Sequence, residues 1–375
     1  MFFNKTRLYL DLEKGSMHLK KLSLYNFKNF EEKQFDFDQK INCFVGNNGV
    51  GKTNVLDAIF FLAFGKSYFN NNIRQIVRFE QSGFSIKGIF SIAEKQEEIL
   101  VSYQTDKKKI IKRNNKTYER LADHIGLIPL VMISPYDRDL ISEHSDTRRK
   151  FIDRIISQAD SFYLGHLMAY QKVLLQRNKL LKYFAANHRF DADTINIYNE
   201  QLHQYGTAIY EKRKKFIEVF GRFLQQKYAL LSGGKEQVDI NYSSGLSSKT
   251  LFDLLQENIQ RDRMLQHTSK GVHRDDFLFK INGKPIKKFG SQGQQKSYLI
   301  ALKLAEFEFL KNKSAKTPVL LFDDIFDKLD ENRVTKIVEM VNDKTFGQIF
   351  ISDTHARRTE NLVKNIHQSF KIFEL

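Results

Sequence analysis

Residues 46–53 are Gly46, Asn47, Asn48, Gly49, Val50, Gly51, Lys52 and Thr53. This satisfies the G-x-x-x-x-G-K-[ST] spacing of a loop that cradles nucleotide phosphates. Gly46, Gly49 and Gly51 let the backbone turn so that its N–H groups point at phosphate oxygens, beside a helix N-terminus that favours anions. Lys52 is placed to reach the β- and γ-phosphates, and the Thr53 hydroxyl to ligate Mg²⁺. Such a loop needs a distant carboxylate for the metal, and the apolar run PVLLFDD (318–324) ends in Asp323 and Asp324. Asp323 is the candidate for the metal shell. Asp324 is the candidate to orient or deprotonate an attacking water, so Asp324 and Lys52 are the expected catalytic residues.

The elements around these residues suit the chemistry. INCFVG (41–46) reads as a buried strand entering the loop, and NVLDAIFFLAFG (54–65) as the helix leaving it, stopped by Gly65. LKKLSLYNF (19–27) alternates as a strand. Residues 83–118 read as an antiparallel meander with a turn at Asn114–Asn115, closed by IPLVMISP (128–135). After Pro135 the pattern turns helical. Phe151, Ile155, Leu164, Leu167, Leu174 and Leu181 predict one long helix over 147–184. Ile195, Tyr198, Leu202, Tyr205, Ile209, Phe216 and Phe223 predict a second, each ~50 Å long at 1.5 Å per residue and packed antiparallel. FLFKINGKPIKKF carries a hairpin signal at Asn282–Gly283. The last 85 residues alternate helix and strand, as a parallel sheet does. The expected fold is α/β, with a nucleotide lobe on a mixed sheet at 17–135 and 286–375. A mainly helical lobe is inserted at 136–285. Residues 1–16 read either as a native extension or as an upstream start, with no function assigned.

Composition narrows the partner class. The 375 residues carry 60 Lys+Arg against 44 Asp+Glu, a net charge of +16, and a field of that sign favours polyanions, most often nucleic acid. A single cysteine, Cys43, excludes an intramolecular disulfide framework. No apolar run is long enough to span a membrane. The basic clusters hold Lys107 and Lys109, Arg148 and Arg149, Lys214, and Lys287. Each is a candidate DNA contact through phosphate, and each taken alone is also a solvated face.

SQGQQ (291–295) begins 32 residues before Asp323. Ser291 is a good N-cap with Ile300, Leu304 and Phe307 following at helical spacing, and a helix N-terminus is itself a phosphate site. With FDKLD (326–330) just after the metal-binding strand, the set resembles the P-loop ATPases of the ATP-binding-cassette superfamily. That resemblance implies that Ser291, Gly293 and Gln294 act in trans on nucleotide held by an opposite subunit. Lys52 and Ser291 are 239 residues apart, further than in transporter subunits and far closer than in chromosome-structuring ATPases.

LYNFKNF, GNNGVGKTN, VMISPYDRDLI with RRKFID, GVHRDDF (271–277), GSQGQQKS and LLFDDIFDKLD, in that order, resemble the RecF family of DNA replication and repair proteins. The resemblance runs from about Met17 to the C-terminus. It implies ATP and Mg²⁺ as cofactors and a homodimer formed on ATP binding. It also implies affinity for double-stranded and gapped DNA, slow ATP hydrolysis, a cytoplasmic, nucleoid-associated location, and cooperation with the mediators RecO and RecR in loading recombinase. Asp324 stands where most cassette ATPases carry Glu. No Gln near VMISPYDRD fills the lobe-linking position, and His355 is the candidate switch histidine, one or two residues late. The His273–Asp276 run reads either as an ion-pair network or as a family element of underived role. A non-hydrolysing ATP-gated DNA scaffold and a transport-type ATPase subunit are the alternatives.

Overall fold

The computed structural model describes residues 17–324, 346–355, 360 and 369–375. The chain divides into two compact units, Met1–Asp137 with Glu306–Leu375, and Arg138–Ala305.

In the first unit, β1 (Met17–Phe27) and β2 (Phe30–Asp36) form a hairpin turning at Lys28–Asn29. β3 (Ile41–Val45) is buried at all five positions, which is why it reads as a continuous apolar run without alternation. α1 (Lys52–Phe64) follows, and eleven of its residues are buried. It has no polar stripe because it is packed on both sides. One side is the antiparallel sheet built from β4 (Gly83–Ile92), β5 (Lys95–Gln104), β6 (Ile110–Arg113) and β7 (Lys116–Thr117), in the order β2-β1-β4-β5-β6-β7. The other side is a parallel sheet that begins with β8 (Leu130–Ile133). Gly65 caps α1 in the left-handed region, φ 64°, and a Cβ there would lie 2.6 Å from Ile111 Cδ1. The expected turn at Asn114–Asn115 is present, with φ of 49° and 65°. A second tight turn, at Ala93–Glu94 (φ 47° and 64°), carries no glycine or asparagine signal.

The second unit departs from expectation in its helices. The single helix expected over 147–184 is two, α2 (Ser145–Ala159) and α3 (Ser161–Ala186). Asp160 separates them, extended at φ −145°, with its carboxylate accepting from Tyr163 N as the N-cap of α3. The break resets the helical phase. The buried face of α3 is Tyr163, Tyr170, Val173, Arg177, Leu181 and Phe184, with Leu164, Leu167 and Leu174 only half-buried. α4 (Ala192–Ser232) runs for 41 residues and packs along α3. β9 (Val238–Ser243), α5 (Leu251–Glu257) and α6 (Ile259–Leu265) precede β10 (Asp276–Ile281) and β11 (Lys284–Pro285). Asn282–Gly283 makes the expected two-residue turn, φ 47° and 75°. β11 is only two residues long, however, and the main partner of β10 is β9.

α7 (Gln292–Lys313) carries the chain between the units. Its first turns belong to the second unit, so the return falls at Glu306 and not at the expected residue 286. The cause is packing: Tyr298 is fully buried, lies tilted against Phe279 with ring centroids 5.4 Å apart, and donates its hydroxyl to Asp239 O at 2.7 Å. β12 (Val319–Asp323), β13 (Ile349–Asp353) and β14 (Phe370–Glu374) then complete the parallel sheet, ordered β14-β3-β13-β12-β8. The expected parallel sheet is present, preceded by a helix, α7. The expected helix over NRVTKIVEMV lies outside the described residues.

One side chain stitches the two sheets of the first unit. β1 shifts register between Leu19 and Lys21. Buried Gln348 accepts from Leu19 N at 2.7 Å and donates to Leu19 O at 2.9 Å and Asp38 O at 2.7 Å. Gln348→Leu would take this side-chain partner from Leu19 N and Leu19 O in a buried setting, while Asp38 O keeps its bond from Asn42 Nδ2 at 2.8 Å. A loss of about 3 kcal/mol is expected, read as a lower urea midpoint at unchanged denaturant slope.

Candidate nucleotide site

The phosphate loop sits between β3 and α1, at the C-terminal end of the parallel strands, where open α/β sheets hold ligands. Asn47, Asn48 and Gly49 are exposed, while Gly51 and Lys52 are buried. Two glycines are sterically required. Gly46 has φ 147° and a Cβ there would lie 2.8 Å from Leu375 O. Gly51 has φ 113° and a Cβ there would lie 2.7 Å from both Asn29 Nδ2 and Phe30 Cζ. The Lys52 ammonium is folded under the loop, donating to Gly46 O at 2.8 Å and Asn47 O at 2.9 Å. It holds the loop's curvature and has a third N–H left for a phosphate oxygen.

The carboxylates expected opposite the loop are there. Thr53 Oγ1 donates to Asp323 Oδ1 at 2.7 Å. Asp323 also accepts from Ser352 Oγ at 2.9 Å and from Ser134 Oγ at 3.2 Å. Burial raises its carboxyl above the ordinary range, neighbouring Asp324 adds to the rise, and the Thr53, Ser352 and Ser134 hydroxyls oppose it. A threonine that donates its proton to a carboxylate keeps both oxygen lone pairs. Thr53 and Asp323 therefore present the hard oxygen donors that Mg²⁺ takes alongside substrate phosphates. Asp324 follows directly, half-buried and at φ 44°, an uncommon conformation for a non-glycine residue and one that collects at functional sites. Its N–H donates to Ser352 Oγ at 3.0 Å. His355 is exposed just past β13, its N–H donating to Asp353 Oδ1 at 3.1 Å. FDKLD (326–330) lies outside the described residues.

Three positioning residues escaped the sequence reading. Ser134 directly follows β8 and Ser352 is the penultimate residue of β13, the two strands flanking β12, and their signal is a hydroxyl at the same strand end as Asp323. Asn29, inside the LYNFKNF motif, donates to Val50 O at 3.0 Å and accepts from Asn54 Nδ2 at 2.7 Å, tying the β1–β2 turn to the phosphate loop. Behind it, Lys28 pairs with fully buried Asp57 of α1 at 2.6 Å. Asn29→Ala removes both braces at an exposed position. ATP affinity should fall about tenfold, roughly 1.4 kcal/mol, in a titration with a fluorescent ATP analogue, with the melting temperature nearly unchanged.

In the second unit Ser291 is exposed at the start of α7. Its hydroxyl accepts from Gln294 N at 3.2 Å, and Gln294 Oε1 accepts from Ser291 N at 2.7 Å. This is a reciprocal capping box with Gln in the fourth place. Gln294 also donates to Glu236 at 2.5 Å, and Gly293 is half-buried in the same turn.

The basic candidates separate. Lys107, Lys214 and Lys287 are exposed, with Lys287 donating to Ser142 O at 2.5 Å. Lys109 is half-buried, donates to Gly65 O, and has its pKa lowered by burial. Arg148 and Arg149 are corrected as free phosphate contacts. Each guanidinium side chain is only 13% exposed. Arg148 makes a two-pronged pair with Asp276 at 2.8 and 3.0 Å, and Arg149 donates to Asp275 O at 2.6 Å. They belong to a buried network in which Arg213 bonds Asp153, Val272 O and Asp275, at 2.9, 2.8 and 3.3 Å. Of the His273–Asp276 run, Asp275 and Asp276 thus take part in an ion-pair network. His273 Nδ1 meets Tyr170 Oη at 2.8 Å, and burial lowers its pKa to about 4. A histidine kept neutral in the fold favours the unfolded chain once the pH drops below about 6.5. Stability should therefore decline from pH 6.5 and level off below about pH 4, by up to about 3 kcal/mol. Urea unfolding of wild type minus His273→Gln across that range isolates the effect.

The model of the RecF/RecN/SMC N terminal domain matches residues 18–374. The chain is 60% identical over 359 residues to the DNA replication and repair protein RecF of Flavobacterium johnsoniae, covering 96% of this chain and 100% of that relative. To the protein of the same name in Parabacteroides distasonis it is 44% identical over 359 residues, covering 96% and 97%. A solved structure of the recombination mediator protein RecF-ATP in the RecFOR pathway matches with a TM-score of 0.85 at 31% identity, over 91% of this chain and 92% of that one. The Smc head domain of Pyrococcus furiosus matches at TM-score 0.56 and 16% identity over 95% and 93%, a likeness of fold alone. The match to the family model and the identity to these relatives both run along nearly the whole chain, and the chain belongs to the RecF family of DNA replication and repair proteins.

Proposed function

We propose that this chain is an ATP-operated DNA clamp of recombinational repair and replication, closing as a homodimer on ATP and reopening by slow hydrolysis. The observation that carries the reading is the Thr53–Asp323 bridge beside a phosphate loop whose lysine is already in place. In this reading the backbone N–H groups of residues 47–53 bind phosphate oxygens and Lys52 holds the β- and γ-phosphates. Thr53 and Asp323 would hold Mg²⁺, whose chemistry is to neutralise charge on those oxygens. Asp324 positions the attacking water. It is one methylene shorter than Glu and held at positive φ, so water is less well placed and turnover is slow. Ser291, Gly293 and the α7 N-terminus bind nucleotide of a second copy, and His355 senses its γ-phosphate.

Closure gathers Lys107, Lys109, Lys214 and Lys287 toward DNA, duplex or gapped, through phosphates alone. Mediators of the RecO and RecR kind then help load recombinase, in the cytoplasm at the nucleoid. Among the described residues no helix is long and apolar enough to cross a membrane, and the relatives' names give the transport reading no support.

Two measurements test this. In analytical ultracentrifugation the wild type should dimerise with ATP and Mg²⁺ but not with ADP. Ser291→Arg should stay monomeric while still binding ATP; dimerisation by that variant removes the in-trans role. Steady-state hydrolysis should be slow, raised by gapped DNA, and lost in Lys52→Ala. Absence of any turnover with ATP-dependent DNA binding intact would select the scaffold alternative.

A further inference from the structure

α3 turns its core face, Tyr163 to Phe184, into the second unit, and among the described residues its opposite face is exposed. Met168 and Leu175 on it are 49% and 63% exposed, and Lys172, Lys179 and Lys182 are exposed beside them. Positions 168, 172, 175 and 179 follow the alternating four- and three-residue steps of a coiled-coil seam. No seam residue points at the chain's own core. The 26 residues of α3 contain no Asp or Glu, although acidic residues are common elsewhere in the chain. The lysine stems extend the apolar surface while their ammonium groups reach sideways into water.

We propose that this face of α3 docks an acidic amphipathic helix of a partner protein, with apolar residues against Met168 and Leu175 and carboxylates against Lys172, Lys179 and Lys182. Charge selects this occupant. A second copy laid on the same face would set lysine against lysine with no acid to relieve it. A nucleic-acid backbone would satisfy the lysines but leave Met168 and Leu175 in contact with phosphate and water. A helix with apolar seam positions and acidic flanks satisfies both features at once, in the helix-on-groove mode of recognition.

The probe is a fluorescein-labelled synthetic helix of about three heptads, Leu at a and d and Glu at e and g, whose own charge opposes self-pairing. Its anisotropy is followed against the full chain. The Glu helix should bind saturably in the micromolar range, and a matched helix with Lys at e and g should not. Leu175→Glu should weaken binding at least about tenfold, and Leu175→Ala, which cannot disturb an exposed site by charge, should weaken it less. Lys172→Glu with Lys179→Glu should reverse the preference toward the Lys helix, a readout that a misfolded variant cannot produce. No saturation by the Glu helix, equal binding by both helices, or indifference to Leu175→Glu would overturn the proposal. So would variants that instead weaken binding to a duplex or to anionic phosphatidylserine vesicles.

Discussion

The hydrogen bond from Thr53 to Asp323 joins residues 270 apart in sequence, and the first unit is organised around making it possible. A hydroxyl at the first turn of a helix and a carboxylate at a strand end meet only if β3 and β12 lie in one sheet, parallel, with their C-terminal ends together. Their shared neighbour β13 enforces this, pairing Asp353 with Val45 on one side and Ser352 with Asp323 on the other. The register that brings Ser352 beside Asp323 also lets its hydroxyl bond both aspartates of the pair. A one-residue slip of β13 would turn that hydroxyl to the opposite face of the sheet.

The same unit shows how a buried helix can carry charge. α1 is enclosed on both sides, yet it begins with Lys52 and holds Asp57. Each is satisfied locally, the lysine by two loop carbonyls and the aspartate by Lys28, Ser67 and the Tyr68 amide. The second unit solves a similar problem on a larger scale around Arg213, which is 2% exposed. Replacing one member of such a network strands its partners in a low-dielectric interior, which costs more than the pair contributed. The GVHRDDF motif is therefore better understood through the fold it locks than through any ligand.

Legibility in the sequence followed the range of the interaction. The phosphate loop, β3, α1 and the Asn282–Gly283 turn are set by neighbours in the chain, and their residues announce them. The Asp160 break was hidden because its flanking apolar residues continue a plausible helical stripe, and only the N-cap bond to Tyr163 shows where the phase resets. β9 was missed because its partner β10 is more than thirty residues away and its own run is short. Arg148 and Arg149 looked like surface charge for the same reason: the Asp276 carboxylate and the Asp275 backbone carbonyl that they bond lie about 130 positions later. Asn29 carries no motif signal of its own, since an asparagine in a hairpin turn is ordinary until the loop it braces is seen.

Cys43 lies at the centre of β3, fully buried, and burial together with nearby Asp353 lifts its thiol pKa to about 12. At neutral pH the thiolate fraction is then on the order of one in a hundred thousand, and the sulfur is sealed inside the sheet. The native polypeptide is consequently silent toward maleimides and iodoacetamides while folded. A cysteine introduced on the exposed tip of α7 or the outside of α3 would take a fluorophore or spin label alone, without first stripping the wild-type background.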